Sequence, residues 1–234
     1  MIGTLINVST VVAGSMLGII FRHRLPRRAV TVVFHGIGLF TIGLGVTMFL
    51  KSEWIIVVIL SLLFGGIAGG MIRLEERIEN FSEWIKSRFR FKDERFTEGL
   101  ITSFLLFCMG SLTILGAINE GIGQGPELLI TKSVLDGFSS IALAAAMGIG
   151  VLFSVIPLLI YQGGITLISM WLGNFFALAI INELTATGGV LLIGLGFNIL
   201  EIAKIKVTDL LPSLLFVVLF AWMKYAGVFP FSLF

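Results

Sequence analysis

Residues 38–50 read GLFTIGLGVTMFL, and residues 189–201 read GVLLIGLGFNILE. The two stretches share five identities in register, including the IGLG core. Both lie in segments apolar enough to cross a membrane. Copies separated by an odd number of crossings run in opposite directions, and inverted repeats recur in secondary transporters and some channels. The pair speaks to architecture and says nothing of what passes through it.

The chain around this pair has 234 residues, 57% hydrophobic and 13% charged, with mean hydropathy +1.06. A soluble domain carries roughly 25% charged residues. One soluble core could not hide so much apolar surface, so lipid is the expected solvent. A spanning helix needs about 20 largely apolar residues. Eight stretches qualify: 3–21, 29–50, 54–72, 99–118, 138–161, 163–182, 185–201 and 208–226. The expected fold is all-α, a polytopic membrane helix bundle of about eight transmembrane segments, with seven as the alternative. The weakest boundary is IYQGGIT, where Gln162-Gly163-Gly164 reads as a tight turn because glycine supplies backbone freedom. The N-terminus has neither a basic n-region nor a convincing cleavage site, so it reads as a retained first helix.

Lysine and arginine fix the orientation. The stretches 22–28, 73–98 and 202–207 hold 13 of the 16. All three fall on one side of the eight-segment arrangement, leaving Lys51, Lys132 and Lys224 opposite. These basic loops are therefore expected to be cytoplasmic, in the cytoplasmic (inner) membrane, with both termini outside. The net charge of +2 is spread over short loops, which argues against a nucleic-acid partner. The single cysteine, Cys108, excludes an intramolecular disulfide and a cysteine-rich metal site. Segment 73–98 is the water-soluble piece. Its Ile78, Phe81, Trp84, Ile85 and Phe89 recur at helical spacing among charges, as in an amphipathic helix on the cytoplasmic surface. An ordinary charged linker helix packed on its own protein has the same pattern.

The echo extends outward. Ser61-Leu62-Leu63-Phe64 in the third segment matches Ser213-Leu214-Leu215-Phe216 in the eighth, one residue out of the IGLG register. Ser15-Met16 and Gly18 in the first match Ser169-Met170 and Gly173 in the sixth, with a one-residue slip between them. Segments 1-2-3 thus correspond to 6-7-8, an odd step, so the copies are inverted. The expected organisation is one membrane domain, 1–234: repeat A at 1–73, the arm at 73–98, a helical hairpin at 99–161 and repeat B at 162–226.

Polar groups at membrane depth are costly and are candidate functional groups by default. In ELLITKSVLDGF (127–138), Lys132 and Asp136 stand at i, i+4 on one helix face. Gly137 follows and would break the helix, giving the half-helix and hinge found at transporter substrate sites. The bland reading is an interfacial helix with Lys132 snorkelling. Asn7, Gln162 and Asn198 are amides within or beside spans; interhelical hydrogen bonding is their commoner use. Gly163 and Gly164 are the other expected helix-break positions. The second IGLG copy carries Asn198 and Glu201 where the first has Thr47 and Leu50, so its polar groups are unmatched.

At SFLLFCMGSLTILGAINEG (103–121), KSVLDGF (132–138), GIGVLFSVIPLLIYQGG (148–164) and GFNILEIAKIKVTDLLPSLL (196–215), the chain resembles the bacterial membrane proteins of YdfK/YqgA type, grouped as domain of unknown function 554. The resemblance runs from GTLIN (3–7) almost to the C-terminus. It implies a multi-pass cytoplasmic-membrane protein, often guessed to be a transporter, with no substrate to carry over. The matching positions are Asn7, Cys108, Lys132, Asp136, Gln162 and Asn198. Ser111 and Leu112 stand where the resemblance leads one to expect a proline-containing variant, which puts a kink in the fourth segment in doubt.

These readings favour a small secondary transporter or channel for a small solute or ion. Its site would lie near Lys132, Asp136, Asn7 and Asn198, with the amides orienting the solute. The alternative is a non-transporting scaffold or sensor acting through arm 73–98. An enzyme is not expected, because no nucleophile–base or metal constellation is present, and no cofactor is implied. Partners are the lipid bilayer and the solute. A homodimer is also considered, since about 230 residues is small for an alternating-access device.

Overall fold

Long apolar runs in lipid must satisfy their backbone hydrogen bonds internally, and a helix does so within one segment. The computed structural model describes residues 1–22, 27–89, 95–108, 110–172 and 177–227, and these contain helices and no strand. Arg24 of the first basic loop, Arg90 and Lys92 of the arm, and Gly173 of the repeat match lie outside the described residues.

The helices are α1 (Ile2–Arg22), α2 (Arg27–Phe49), α3 (Ile55–Ile72), α4 (Leu74–Phe89), α5 (Phe96–Cys108) and α6 (Ser111–Gly121), followed by α7 (Glu127–Met147), α8 (Gly150–Phe153), α9 (Val155–Leu172), α10 (Leu178–Ile199) and α11 (Ser213–Tyr225). A 3-10 turn, Val207–Leu210, precedes α11. Among the described residues six helices are long and apolar enough to cross a membrane, with α8 and α9 forming one of them. The pair α5–α6, bent by 61° at its break, would make a seventh. The apolar part of α2, Phe34–Phe49, is shorter.

Three expected helix breaks are corrected. Gly163 and Gly164 lie inside α9, and Gly137 lies inside α7. Backbone freedom does not end a helix in an apolar setting, because an unpaired N–H has no water to turn to. The turn sits instead at Gly148, whose φ of +80° is open to glycine and costly for other residues. The expected segments 138–161, 163–182 and 185–201 therefore shift to Glu127–Met147, Gly150–Trp171 and Leu178–Ile199. The fourth segment is bent despite lacking the expected proline. Gly110 opens α6, and Thr113 Oγ1 donates to the Phe107 carbonyl across the break at 2.8 Å.

The chain forms two compact units. The first comprises Met1–Ile37 and Asn80–Phe175. Its spine is α1 against α7, which run parallel. A Cβ on Gly3 would meet Leu129 Cβ at 2.7 Å, one on Gly18 would meet Ala144 Cβ at 2.8 Å, and Gly14 has no room against Ser140 and Gly137. Apolar association gains little between helices already in lipid, so such close backbone approach supplies the dispersion contacts.

The second unit comprises Gly38–Glu79 and Phe176–Phe234. There α2 and α10 cross antiparallel through the two IGLG stretches. A Cβ on Gly45 would meet the Gly189 carbonyl at 2.6 Å, and one on Gly189 would meet the Gly45 carbonyl at 2.6 Å. A Cβ on Gly196 would meet the Gly38 carbonyl at 2.9 Å. Helix α3 packs on α11 and on the 3-10 turn before it. Phe64 lies 6.1 Å from Phe216 and 5.7 Å from Phe220, centroid to centroid.

Candidate functional site

The first unit holds a buried polar network. Helix α7 places Lys132 and Asp136 one turn apart, and the ammonium and carboxylate are in direct ion-pair contact. Both are buried. At 1.5 Å per residue, Asp136 lies about 13 Å along α7, near the middle of this apolar helix. An unpaired charge there would be prohibitive, and the pair removes most of that cost.

Helix α1 contributes Asn7, whose Nδ2 donates to Asp136 Oδ2 at 3.1 Å and to Gln162 Oε1 at 2.9 Å. Gln162 on α9 donates through Nε2 to Thr4 Oγ1 at 3.2 Å. Thr4 in turn donates to Glu120 Oε2 at 3.4 Å. Glu120, at the end of α6, accepts the Gly3 backbone N–H at 2.7 Å and lies 3.0 Å from the amino group of Met1. It thereby satisfies the start of α1, where backbone donors lack helical partners. Amide N–H protons are too firmly held to be relayed, so the network fixes geometry rather than conducting protons. Asn7 Oδ1 has no partner within it.

The break in the α5–α6 pair adjoins this network. The Phe107 ring, one residue from the end of α5, lies 6.0 Å from Lys132 Nζ. The C-terminal end of a helix carries partial negative charge, which suits an ammonium. A discontinuous helix beside a buried ion pair matches the architecture of transporter sites.

Four of the five sequence candidates, Asn7, Lys132, Asp136 and Gln162, thus meet in one network. Asn198 does not join it. It belongs to the second unit, where its Nδ2 donates to the Ile205 carbonyl at 2.7 Å and its Oδ1 accepts the Ile205 N–H at 2.7 Å. Both amide atoms are consumed in closing the loop after α10. Glu201 in that loop is exposed.

Sequence reasoning missed Thr4, Glu120 and Glu183. Thr4 lies one helical turn before Asn7 on the same face, a signal that was available. Glu183 falls between the expected segments 163–182 and 185–201. It lies instead one turn into α10, fully buried. Its Oε2 accepts from Ser52 Oγ at 2.7 Å, and its Oε1 from the backbone N–H groups of Glu53 and Trp54 at 2.7 and 2.8 Å. It pins the loop that leads into α3. No group of three potential metal-ligating side chains occurs among the described residues.

A family model described as "Protein of unknown function (DUF554)" matches residues 2–222. The chain belongs to the DUF554 family. This DUF554 protein is 35% identical over 219 residues to the "Uncharacterized membrane protein YdfK" of Bacillus subtilis (strain 168), covering 92% of this chain and 93% of that one. It is 31% identical over 219 residues to the "Uncharacterized protein YqgA" of Escherichia coli (strain K12), with the same coverage. No solved structure matches. The family, the relative's name and the apolar helices together make this DUF554 member a multi-pass membrane protein.

Proposed function

We propose that the chain is a small secondary transporter or channel for a small solute or ion in the cytoplasmic membrane. Its site is the Lys132–Asp136 pair with Asn7 and Gln162. The carrying observation is a buried charge pair within an apolar helix, bonded by Asn7 of α1, which is itself bonded to Gln162 of α9, beside a broken helix. Structural polar contacts in membranes rarely demand a buried ion pair, whereas substrate and coupling-ion sites do.

Eight crossings complete this reading: the six long helices, the bent α5–α6 pair, and α2. The loops at 22–28, 73–98 and 202–207 then share the cytoplasmic side, and both termini lie outside. An inverted repeat is supported by how matched residues meet. In the register that pairs Gly18 with Gly173, Asn7 corresponds to Gln162, and the two are hydrogen-bonded. In the register of the IGLG echo, Gly38 corresponds to Gly189 and Gly45 to Gly196. The contacts run crosswise, Gly45 with Gly189 and Gly38 with Gly196, as a two-fold axis through the crossing requires. In the SLLF register Phe64 corresponds to Phe216, and these rings touch. In each helix pair, taken by itself, a segment packs on its own counterpart.

A second reading is a scaffold or sensor acting through α4. Phe81 and Trp84 are both 58% exposed and stack at 6.0 Å, an apolar patch suited to a membrane surface or a partner.

The test of the transport reading is access. In a Cys108→Ala background, Asn7→Cys is challenged with a membrane-impermeant maleimide in right-side-out and inside-out vesicles. A transport site reacts from both faces. Reaction from neither face, or from one alone, contradicts it.

A further inference from the structure

Helix α4 carries its positive and negative charges on opposite faces. Residues three or four apart share a helix face, whereas residues two apart point away from each other. Arg77, Phe81, Trp84 and Arg88 recur at that spacing, and all four are exposed. The Phe81 and Trp84 rings stack within 18° of parallel. Glu75, Glu76 and Glu79 share the other face, with Glu79 two residues from both Arg77 and Phe81. These placements follow from the spacing of one continuous helix. No ion pair to Arg77 or Arg88 occurs among the described residues, whereas Arg73 pairs with Glu76 at 3.6 Å.

Two observations say what covers the Arg77–Arg88 face. The first is where it starts. Helix α4 begins two residues after the end of α3, which is long and apolar enough to cross a membrane, and the chain turns between them at Arg73, with φ of +51°. A helix that leaves the end of a span starts at headgroup level. The second is charge. Tryptophan and phenylalanine flanked by arginine suit the headgroup layer, where rings reach the acyl boundary and guanidinium groups take phosphate oxygens. A neutral surface would leave both arginines without a partner of opposite sign. The glutamates, turned away, stay in water and do not repel the lipid. We propose that the Arg77, Phe81, Trp84 and Arg88 face of α4 docks on anionic lipid at the membrane surface. This inference rests on the reading of α4 as the working surface of a scaffold or sensor and names its partner. It does not depend on transport.

The experiment uses the full-length chain with Cys108→Ala and Asn80→Cys, an environment-sensitive fluorophore being attached at position 80. Asn80 is exposed and one turn from Trp84. If Cys108→Ala does not fold, Asn80→Cys alone takes the label, because Cys108 is buried. The chain is placed in nanodiscs of phosphatidylcholine alone or with about 30% phosphatidylglycerol. Phosphatidylglycerol is expected to shift the emission to the blue and to bring on quenching by a headgroup nitroxide. Salt should reverse both, since the screening length falls from about 8 Å at 0.15 M to about 3 Å at 1 M. Each arginine at an anionic surface is worth about fivefold in binding, so Arg77→Gln/Arg88→Gln should lower the docked-to-undocked ratio about twenty-five-fold and make the two lipids alike. Should that variant not fold, the salt titration with both arginines present keeps the test open. The same signal in both lipids would overturn the inference, as would a phosphatidylglycerol response that survives salt or the loss of both arginines. A label that stays in water in both lipids sinks the inference and leaves α4 open to a protein, so the scaffold reading stands. Lipid docking as described, with no protein cross-linked through position 80 in native membranes, keeps the inference and removes the scaffold.

Discussion

Asn7 on α1 donates to Gln162 on α9 at 2.9 Å, tying the first helix to the ninth inside the first unit. The same Asn7 nitrogen reaches Asp136 at 3.1 Å. One amide therefore links the α1–α9 contact to the buried ion pair.

Removing that amide tests the link. Asn7→Ala leaves Gln162 Oε1 without its donor and Asp136 with Lys132 alone. Interhelical hydrogen bonds in membranes average about 0.6 kcal/mol, and leaving buried partners unpaired costs about 1–3 kcal/mol. Asn7→Ala is expected to destabilise by about 1–2 kcal/mol in reversible unfolding in micelles. A double-mutant cycle with Gln162→Ala should show a coupling of about 0.5–1.5 kcal/mol.

The glycine crossing gives a prediction with built-in controls. Gly45→Ala and Gly189→Ala each push a methyl to 2.6 Å from a carbonyl of the facing backbone. Overpacking of this kind costs about 1–3 kcal/mol. Gly43 and Gly164 have nothing within 4 Å of an added Cβ. Their alanine variants should be neutral or more stable by up to about 1 kcal/mol, because alanine favours helix. Loss of stability in Gly164→Ala would restore it as a hinge.

Glu183 accepts three hydrogen bonds at the entrance to α3. Glu183→Ala strands two backbone donors and a hydroxyl, and should cost about 2–4 kcal/mol. Glu183→Gln keeps one acceptor oxygen and should fall between the two. Hydrogen exchange of the Glu53 and Trp54 amides reads the loss locally.

At the α3–α4 junction, burial and then Asp209 raise the Glu75 carboxyl above its ordinary value, with Glu79 adding and Lys206 opposing. The Glu75 N–H also donates to Asp209 Oδ1 at 2.9 Å. A raised carboxyl favours the fold when protonated. Its contribution is complete below the ordinary value of 4.5 and is lost as pH rises through the folded value. The melting temperature of Glu75→Gln should therefore gain on that of the wild type as pH rises from about 4.5 toward neutrality. A constant difference across that range would contradict this assignment.

The legible part of the site was its intramembrane polarity. Asn7, Lys132, Asp136 and Gln162 stand out because each is costly in an apolar run, and the fold brings all four together. Asn198 carried the same signal, but a loop backbone consumed it, and side-chain type alone does not separate the two uses. Helix ends were harder to read. Gln162-Gly163-Gly164 resembles a turn by the rules of water, where a freed N–H can be solvated. In α9 it stays helical, and the chain turns at Gly148, one glycine among the alanines and methionine of AAAMGIG. The same shift brings Glu183, which falls between the expected segments 163–182 and 185–201, inside α10. Glu120 was invisible for another reason, since its partner is the start of a helix 117 residues earlier.

The most direct measurement is flux. Proteoliposomes of the wild type, Asp136→Asn and no protein are incubated in one defined mixture of inorganic ions and small metabolites, and their lumens are quantified by mass spectrometry. The account predicts that at least one solute enters the wild-type vesicles above the protein-free level, and that Asp136→Asn abolishes that excess. Wild-type lumens identical to protein-free ones, or an excess that Asp136→Asn leaves unchanged, would contradict it.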